Sequence, residues 1–171
     1  MNKTNHKARV IFQAGLLATA IVAVVPAGNA LARGGGWEFA PSGAYDAACG
    51  ATVVHVSAAV NREFALLGTD ADGNDVYKVT GSLRIRYATD AGKELVVNSS
   101  GPGHLTLYSD GGQRVQAMGL NSFTFTEEQA DALGVPQISV SSGPFDVTWN
   151  ADDEVSGHLG TIIRDVCAEL T

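Results

Sequence analysis

Residues 76–88 alternate between two faces, and this pattern constrains the fold more than any other feature of the chain. The first face is apolar apart from one glycine and carries Tyr77, Val79, Gly81, Leu83, Ile85 and Tyr87. The second face is polar and carries Lys78, Thr80, Ser82, Arg84 and Arg86. A repeat of two sustained over about a dozen residues is typical of a β-strand with one buried face, and it excludes an amphipathic helix. The sequence therefore predicts a long strand here.

Short β-rich segments and turn signals fill the chain beyond residue 49. The other predicted strands lie at residues 51–58 (continued or kinked through 61–67), 94–99, 104–109, 114–126, 137–142, 144–150 and 155–163. One short helix is predicted at residues 127–133, capped by Thr126 and ended by Gly134. About eight antiparallel strands joined by short turns are typical of an up-and-down barrel. We therefore predict an all-β barrel of about eight strands, with a β-sandwich as the alternative.

The first 32 residues have the composition of an export signal. Lys3, Lys7 and Arg9 precede an uncharged apolar run at residues 10–25, and small residues end the segment at 30–32. The run of about 16 residues is shorter than the roughly 20 that cross a bilayer as a helix. We expect residues 1–32 to be a cleaved secretory signal peptide, 33–48 a Gly-rich N-terminal arm and 49–171 a β-barrel domain. The expected location is secreted, or extracellular, with no membrane attachment after cleavage.

The chain is acidic, with 11 Lys and Arg residues against 18 Asp and Glu residues. The predicted leader contains three of the basic residues and none of the acidic ones, so the excess of acid is larger in the exported part. Such a surface repels nucleic acid and anionic lipid. We therefore predict no nucleic-acid partner. The sequence gives no indication of an oligomeric state.

The chain has two cysteines, Cys49 and Cys167, near the two ends of the predicted domain. In an oxidising compartment, an even pair of cysteines in a small exported chain is typical of a disulfide. A bridge between them brings the first and last elements of the domain together. That arrangement is what closing a meander of strands into a barrel requires.

No metal site and no cofactor is predicted. His55, His104 and His158 lie on different predicted strands, so nothing in the sequence brings them together as zinc ligands. The turn at residues 69–75 is rich in Asp, but its spacing differs from that of a helix-loop-helix calcium loop, and side chains bonded to local backbone are the better interpretation. Because no Gly-x-Ser-x-Gly motif occurs, catalytic residues stay unassigned and enzyme activity stays open.

Aromatic residues are the candidates for a binding site in the interior. The predicted ligand-binding residues are Tyr77, Tyr87, Phe123, Phe125 and Trp149. An eight-stranded barrel is wide enough either to be filled by side chains or to hold one small ligand. Inward glycines such as Gly81 and Gly157 would leave room beside the rings, whereas simple core packing is the competing interpretation. Arg84 or Arg86 is the expected surface contact if the ligand is acidic.

Several short motifs resemble those of a group of small exported β-proteins from actinobacteria with one Cys pair. They are Cys49-Gly50, Asn61-Arg-Glu-Phe64, Thr80-Gly-Ser-Leu83, Ser100-Gly-Pro-Gly103, Asp110-Gly111 and Arg164-Asp-Val-Cys167. The resemblance covers nearly the whole chain after the leader, and it implies export, the disulfide and an all-β domain without assigning a catalytic residue. At the level of fold alone, the chain is also similar to lipocalin-like carriers and allene-oxide-cyclase-like barrels, and analogy of fold does not carry function.

Three functional hypotheses follow from these observations. The first is a secreted, disulfide-closed β-barrel that binds a small apolar molecule in its interior. The second is a barrel enzyme of the cyclase or isomerase type, which a buried ionisable group inside a cavity would favour. The third is an extracellular protein-interaction module with a filled core, which a packed interior together with an exposed apolar patch would favour.

Overall fold

The computed structural model describes residues 17–18 and 36–171 of the chain. Strands β1 to β7 are Leu17–Ala18, Glu38–Phe39, Tyr45–Cys49, Thr52–Thr69, Asp75–Thr89, Glu94–Asn98 and Gly103–Leu107. Strands β8 to β13 are Gln113–Ala117, Leu120–Thr124, Ile138–Ser142, Phe145–Trp149, Val155–His158 and Thr161–Asp165. Helix α1 is Glu127–Leu133 and helix α2 is Val166–Leu170. The prediction of an all-β protein is confirmed, since strands hold 58% of the described residues and helices 9%.

The strands form two antiparallel sheets. The larger has nine strands in the order β12-β11-β8-β7-β5-β4-β2, with β3 beside β4 and β6 beside β5. The smaller has the order β1-β9-β10-β13. In neither sheet is the first strand of the order paired with the last, so no closed barrel is found among the described residues. A sandwich-like arrangement is as good a description as the predicted eight-stranded barrel.

The long hairpin of β4 and β5 forms the middle of the larger sheet, because four other strands pair with it. The predicted alternation of β5 is confirmed, because Val79, Leu83, Ile85 and Tyr87 are buried while the polar face is exposed. The predicted strand at 51–58 continues through 61–67 as one strand, β4, with a β-bulge at Ala58/Val60. Each half of the hairpin pairs with different neighbours: β3 and β6 at one end, β2 and β7 at the other.

The core consists of two clusters, which lie on opposite faces of the smaller sheet. Ile138 and Val140 of β10 belong to the cluster that also includes Tyr87. Phe123 of β9 belongs to the second cluster, and it is paired with Ser139, which points to the same side. Because successive residues of a strand face opposite ways, and β10 is buried from residue 138 to 141, both of its faces are covered. The larger sheet therefore curves around the smaller one.

Both helices are short and sit at strand ends. The predicted helix α1 is confirmed with its limits: Thr126 and Gln129 form a reciprocal capping box, and Gly134 ends the helix at φ 67°. Helix α2 was not predicted. Its N-cap is Asp165, whose side chain accepts a hydrogen bond from the backbone N–H of Ala168.

The predicted disulfide joins Cys49, at the end of β3, to Cys167 in α2, with the two Cα atoms 5.2 Å apart. The described part of the predicted arm contains β2 and β3, and both pair with β4. Apart from residues 17–18, which form β1, the predicted leader at 1–32 lies outside the described residues. No helix in the described part of the chain is long and apolar enough to cross a membrane.

Four hairpin turns share one backbone pattern, at residues 70–74, 89–93, 108–112 and 150–154. In each, the first residue donates its N–H to the carbonyl of the fifth, and the fourth donates back to the first. The fourth position has positive φ in all four turns: Gly73 (86°), Gly92 (82°), Gly111 (99°) and Asp153 (63°). Glycine adopts this conformation without steric cost, whereas an L side chain there is strained.

Asp153→Gly is therefore expected to stabilise the protein by about 0.5–1 kcal/mol, because it removes the strain at the fourth turn position. The bond from the Gln129 side chain to the backbone carbonyl of residue 153 is kept. Urea unfolding at neutral pH measures the change. Asp152→Gly in the same turn is the control, since position 152 has no positive φ. Equal or lower stability of the Asp153 variant would contradict the explanation.

Candidate functional site

The structure places the five predicted ligand-binding residues in two different clusters. Tyr87 is fully buried in the first cluster, and its hydroxyl lies 2.5 Å from the Oγ of Ser122. Desolvation, the largest cause, raises the pKa of this phenol. The other four belong to or pack against the second cluster: Tyr77, Phe123, Phe125 and Trp149. The five residues therefore do not line one common cavity, and their contact with a ligand stays a prediction.

The buried aromatic rings of the second cluster contact one another. Phe123 stacks on Phe145 with ring centroids 3.8 Å apart, and it lies 6.1 Å from Phe125. Phe125 in turn lies 6.1 Å from Trp149 in a stacked arrangement. Such a continuous series of rings fills the space between β9 and β11 with protein atoms. The geometry favours the interpretation of these residues as core.

Gly81 and Gly157, which were predicted to point inwards, are exposed and lie against the backbone of the neighbouring strand. A Cβ atom at Gly81 would lie 2.2 Å from the carbonyl oxygen of Arg62, and one at Gly157 would lie 2.2 Å from that of Asp146. These strands approach each other closely because glycine has no side chain. The room expected at these positions is therefore occupied by the neighbouring strand.

Three of the exposed apolar side chains, all aromatic, lie at the β2 end of the larger sheet. Trp37, Phe39 and Phe64 are exposed by 52%, 55% and 44%, and we call them the aromatic patch. Phe39 and Phe64 are register partners across β2 and β4, with an edge-to-face ring contact at 6.4 Å. Trp37 is exposed on the same arm, immediately before β2. Single exposed apolar residues are ordinary, but adjoining ones mark interaction surfaces.

Three exposed cations lie on the same outer face of β4 and β5. Arg62 lies opposite Ser82, Lys78 opposite Leu66 and Arg84 opposite Val60, as the strand register shows. We call Arg62, Lys78 and Arg84 the basic strip. Within the described residues none of them has an ion-pair partner, whereas Arg86 is paired with Glu94 at 2.6 Å and Arg114 with Asp146 at 2.5 Å. The basic strip is therefore free to bind an anion.

Two residues of β4 hold the arm that carries Trp37 and Phe39. The backbone carbonyl of Glu63 accepts a hydrogen bond from Ala40 at 3.0 Å. The amide of Asn61 donates to the carbonyl of Ala40 at 2.8 Å and to the Oγ of Ser42 at 2.9 Å. The aromatic patch was not predicted from the sequence, because the Gly-rich arm was expected to be irregular. The alternation of Trp37, Glu38 and Phe39 is the only sequence signal of a strand there.

The carboxyl group of Glu63 is directly behind this surface, on the inner face of β4. It is 4% exposed, and its Oε2 has no hydrogen-bond partner among the described residues. Burial raises its pKa to about 7. A carboxyl group in such an environment is easier to keep protonated than ionised.

A second charged arrangement joins three elements near the disulfide. The imidazole of His55 on β4 lies 2.7 Å from a carboxylate oxygen of Asp46 on β3, through Nδ1. Its Nε2 lies 2.9 Å from a carboxylate oxygen of Asp90, in the turn after β5. A neutral imidazole has only one N–H, so both bonds form only when the ring is protonated. The hydrogen bond to Asp90, and next that to Asp46, raises the pKa of His55.

The protonated form of His55 is therefore expected to stabilise the fold. Because its folded-state pKa lies above the ordinary 6.5, this contribution is complete below pH 6.5 and is lost as pH rises through the raised value. An NMR titration of the imidazole carbon of His55 measures its pKa directly. Asp46→Asn and Asp90→Asn should each bring the pKa back towards 6.5, the second by more. A pKa that neither variant moves would contradict the arrangement.

The remaining candidates are the His and Asp residues that were considered as metal ligands. No group of three or more His, Cys, Asp or Glu residues able to hold a metal ion occurs in the described part of the chain. The Asp70 carboxylate accepts the backbone N–H groups of Asp72 and Asn74, at 3.0 and 2.9 Å. Hydrogen bonds to Asn74 are the largest cause of its lowered pKa. The geometry favours a structural turn at 69–75 over a calcium loop.

Comparisons with known proteins found no match: no protein-family model, no curated protein and no solved structure matches the chain. The predicted resemblance to exported actinobacterial β-proteins and the analogy to lipocalin-like barrels stay predictions.

Proposed function

We propose that this protein is an exported interaction module with a filled core, and that it binds another protein through the aromatic patch and the basic strip. The observation that carries the proposal is the position of the aromatic residues. Phe123, Phe125 and Trp149 are packed against one another in the interior, whereas Trp37, Phe39 and Phe64 are gathered on the outside.

The composition of the surface supports a protein partner. Residues that contribute most to protein–protein binding are enriched in Trp and Arg and cluster where a partner can exclude water. Trp37, Phe39 and Phe64 provide the apolar centre, and Arg62 is the neighbour of Phe64 on the outer face of β4. Two strands and a hydrogen-bonded arm fix the positions of these residues, which lowers the entropic cost of binding.

Export is supported by the disulfide and by the leader composition. A bridge between Cys49 and Cys167 persists in an oxidising compartment outside the cytosol. Native mass spectrometry of the exported protein gives a first measurement. A mass equal to residues 33–171 with one disulfide supports both cleavage of the leader and a filled interior. An additional mass lost on unfolding would instead support the carrier hypothesis.

Photo-crosslinking in the producing culture tests the surface itself. A benzoylphenylalanine placed at Phe64 should form one discrete adduct with another protein, while the same group at the exposed Ile163 of β13 should not. Introducing Trp37→Ala into the Phe64-labelled chain should lower the yield by about tenfold, as loss of a central aromatic contact does. Equal adducts at positions 64 and 163, or a yield unaffected by Trp37→Ala, would contradict the proposal.

A further inference from the structure

The basic residues of this acidic protein are concentrated on one face of one sheet. Four of its eleven Lys and Arg residues precede residue 36, so seven lie in residues 36–171, together with all eighteen acidic residues. Five of those seven occupy outward positions of β4, β5 and β8: Arg62, Lys78, Arg84, Arg86 and Arg114. Since Arg86 and Arg114 are neutralised by Glu94 and Asp146, the unpaired positive charge of this face is the basic strip.

The outward positions around the basic strip carry no carboxylate. On β4 they are Val60, Arg62, Phe64 and Leu66, and on β5 they are Val76, Lys78, Thr80, Ser82 and Arg84. A partner that covers this surface removes water from three cations that have no ion-pair partner in the described part of the chain. Such a loss is favourable only if the partner supplies anions, because an unpaired charge is costly to desolvate.

The basic strip is short and acidic groups lie beyond both of its ends. From Lys78 to Arg84 it covers seven residues of one strand, and the Cα atoms at its two ends are about 20 Å apart. Beyond Lys78 the hairpin turn carries Asp70, Asp72 and Asp75, and beyond Arg84 lie Glu94 and the Asp46–His55–Asp90 group. A long polyanion that extended beyond the strip would run towards these carboxylates, with Asp75 about 10 Å from Lys78 and Asp90 about 20 Å from Arg84, and it would gain no further attraction there. The limited length of the basic strip and the overall acidity of the chain therefore favour a short acidic segment over nucleic acid or a long anionic polymer.

We infer that the partner contributes an extended acidic segment whose apolar side chains contact Trp37, Phe39 and Phe64 and whose carboxylates pair with Arg62, Lys78 and Arg84. This inference rests on the proposed function and names the chemistry of the partner. An extended segment of about six residues matches the length of the strip. The aromatic patch and the strip lie side by side on β2, β4 and β5, so one segment reaches both.

Two labelled peptides of about ten residues test the inference by fluorescence anisotropy with the disulfide-linked protein. One repeats Leu-Leu-Glu-Glu, so that each face of the extended peptide carries both Leu and Glu, and the other has Gln in place of every Glu and so keeps the apolar side chains without charge. We expect the Glu peptide to bind about tenfold tighter than the Gln peptide in low salt, and the difference to shrink at high salt. The triple variant Arg62→Gln, Lys78→Gln, Arg84→Gln should abolish the difference. Lys93→Gln, in the turn after β5, is the matched control and should leave it unchanged.

Each outcome separates the partner chemistry from the proposed function. If both peptides bind equally and Phe64→Ala weakens both, the surface binds protein but the acidic partner is wrong. If the Glu peptide binds and Phe64→Ala and Trp37→Ala leave its affinity unchanged, the proposed function is wrong at this site. A Glu peptide that shows no binding overturns the inference, and the crosslink at position 64 then decides the function alone. A matched Leu-Lys peptide should not bind; equal binding of it would also overturn the inference.

Discussion

Removal of the disulfide by the paired substitution Cys49→Ala and Cys167→Ala is expected to lower the free energy of unfolding by about 5 kcal/mol. The bridge closes a loop with a sequence separation of 118, almost the whole described domain. Such a cross-link restricts the unfolded chain far more than the folded one. It also fixes α2, whose Val166 and Leu170 belong to the first core cluster. Urea unfolding of the oxidised protein and the variant measures the difference.

Reduction of the native protein is the control for side-chain effects of the substitutions. If the stabilisation comes from the cross-link, the reduced native protein and the paired alanine variant should unfold at similar urea concentrations. The denaturant dependence should also be steeper in the variant, because its unfolded state is less compact. A variant that loses less than about 1 kcal/mol would show that the folded state gains little from joining β3 to α2.

The alternation in β5 and the turn signals around it were enough to predict an all-β, antiparallel protein, because local patterns encode which face of a strand is buried. The arrangement of the sheets was not encoded locally. Strand β10 alternates Ile138 and Val140 with Ser139 and Ser141, a pattern typical of one exposed face. Both faces are buried, because the larger sheet curves around the smaller one. Only long-range packing determines this, and a barrel and a sandwich share the same local sequence signals.

The candidate site shows the same limit. Alternation correctly predicted that Phe123, Phe125 and Trp149 point inwards, yet whether an interior is filled or hollow depends on distances between strands far apart in sequence. The residues of the aromatic patch come from the arm and from β4, and their proximity depends on the bonds that Asn61 makes to the arm. A polar side chain that binds backbone some twenty residues away leaves no periodic signal.

Glu63→Gln is expected to stabilise the protein by up to about 3 kcal/mol at pH 8, which makes it the second large effect. The folded-state pKa of Glu63 is about 7 against an ordinary value of 4.5. The folded protein therefore binds a proton that the unfolded chain has already released between these pH values. Its contribution is complete below pH 4.5 and is lost as pH rises through 7. One pKa unit corresponds to about 1.4 kcal/mol, which gives the expected size.

The pH dependence separates this explanation from a general effect of the substitution. Urea unfolding from pH 4 to 8 should show the native protein losing stability relative to the Glu63→Gln variant, with the two close together at pH 4. Glu38→Gln, on the adjoining strand β2 and exposed, is the matched control and should follow the native protein. A constant difference at all pH values would mean that amide contacts, not ionisation, cause the change.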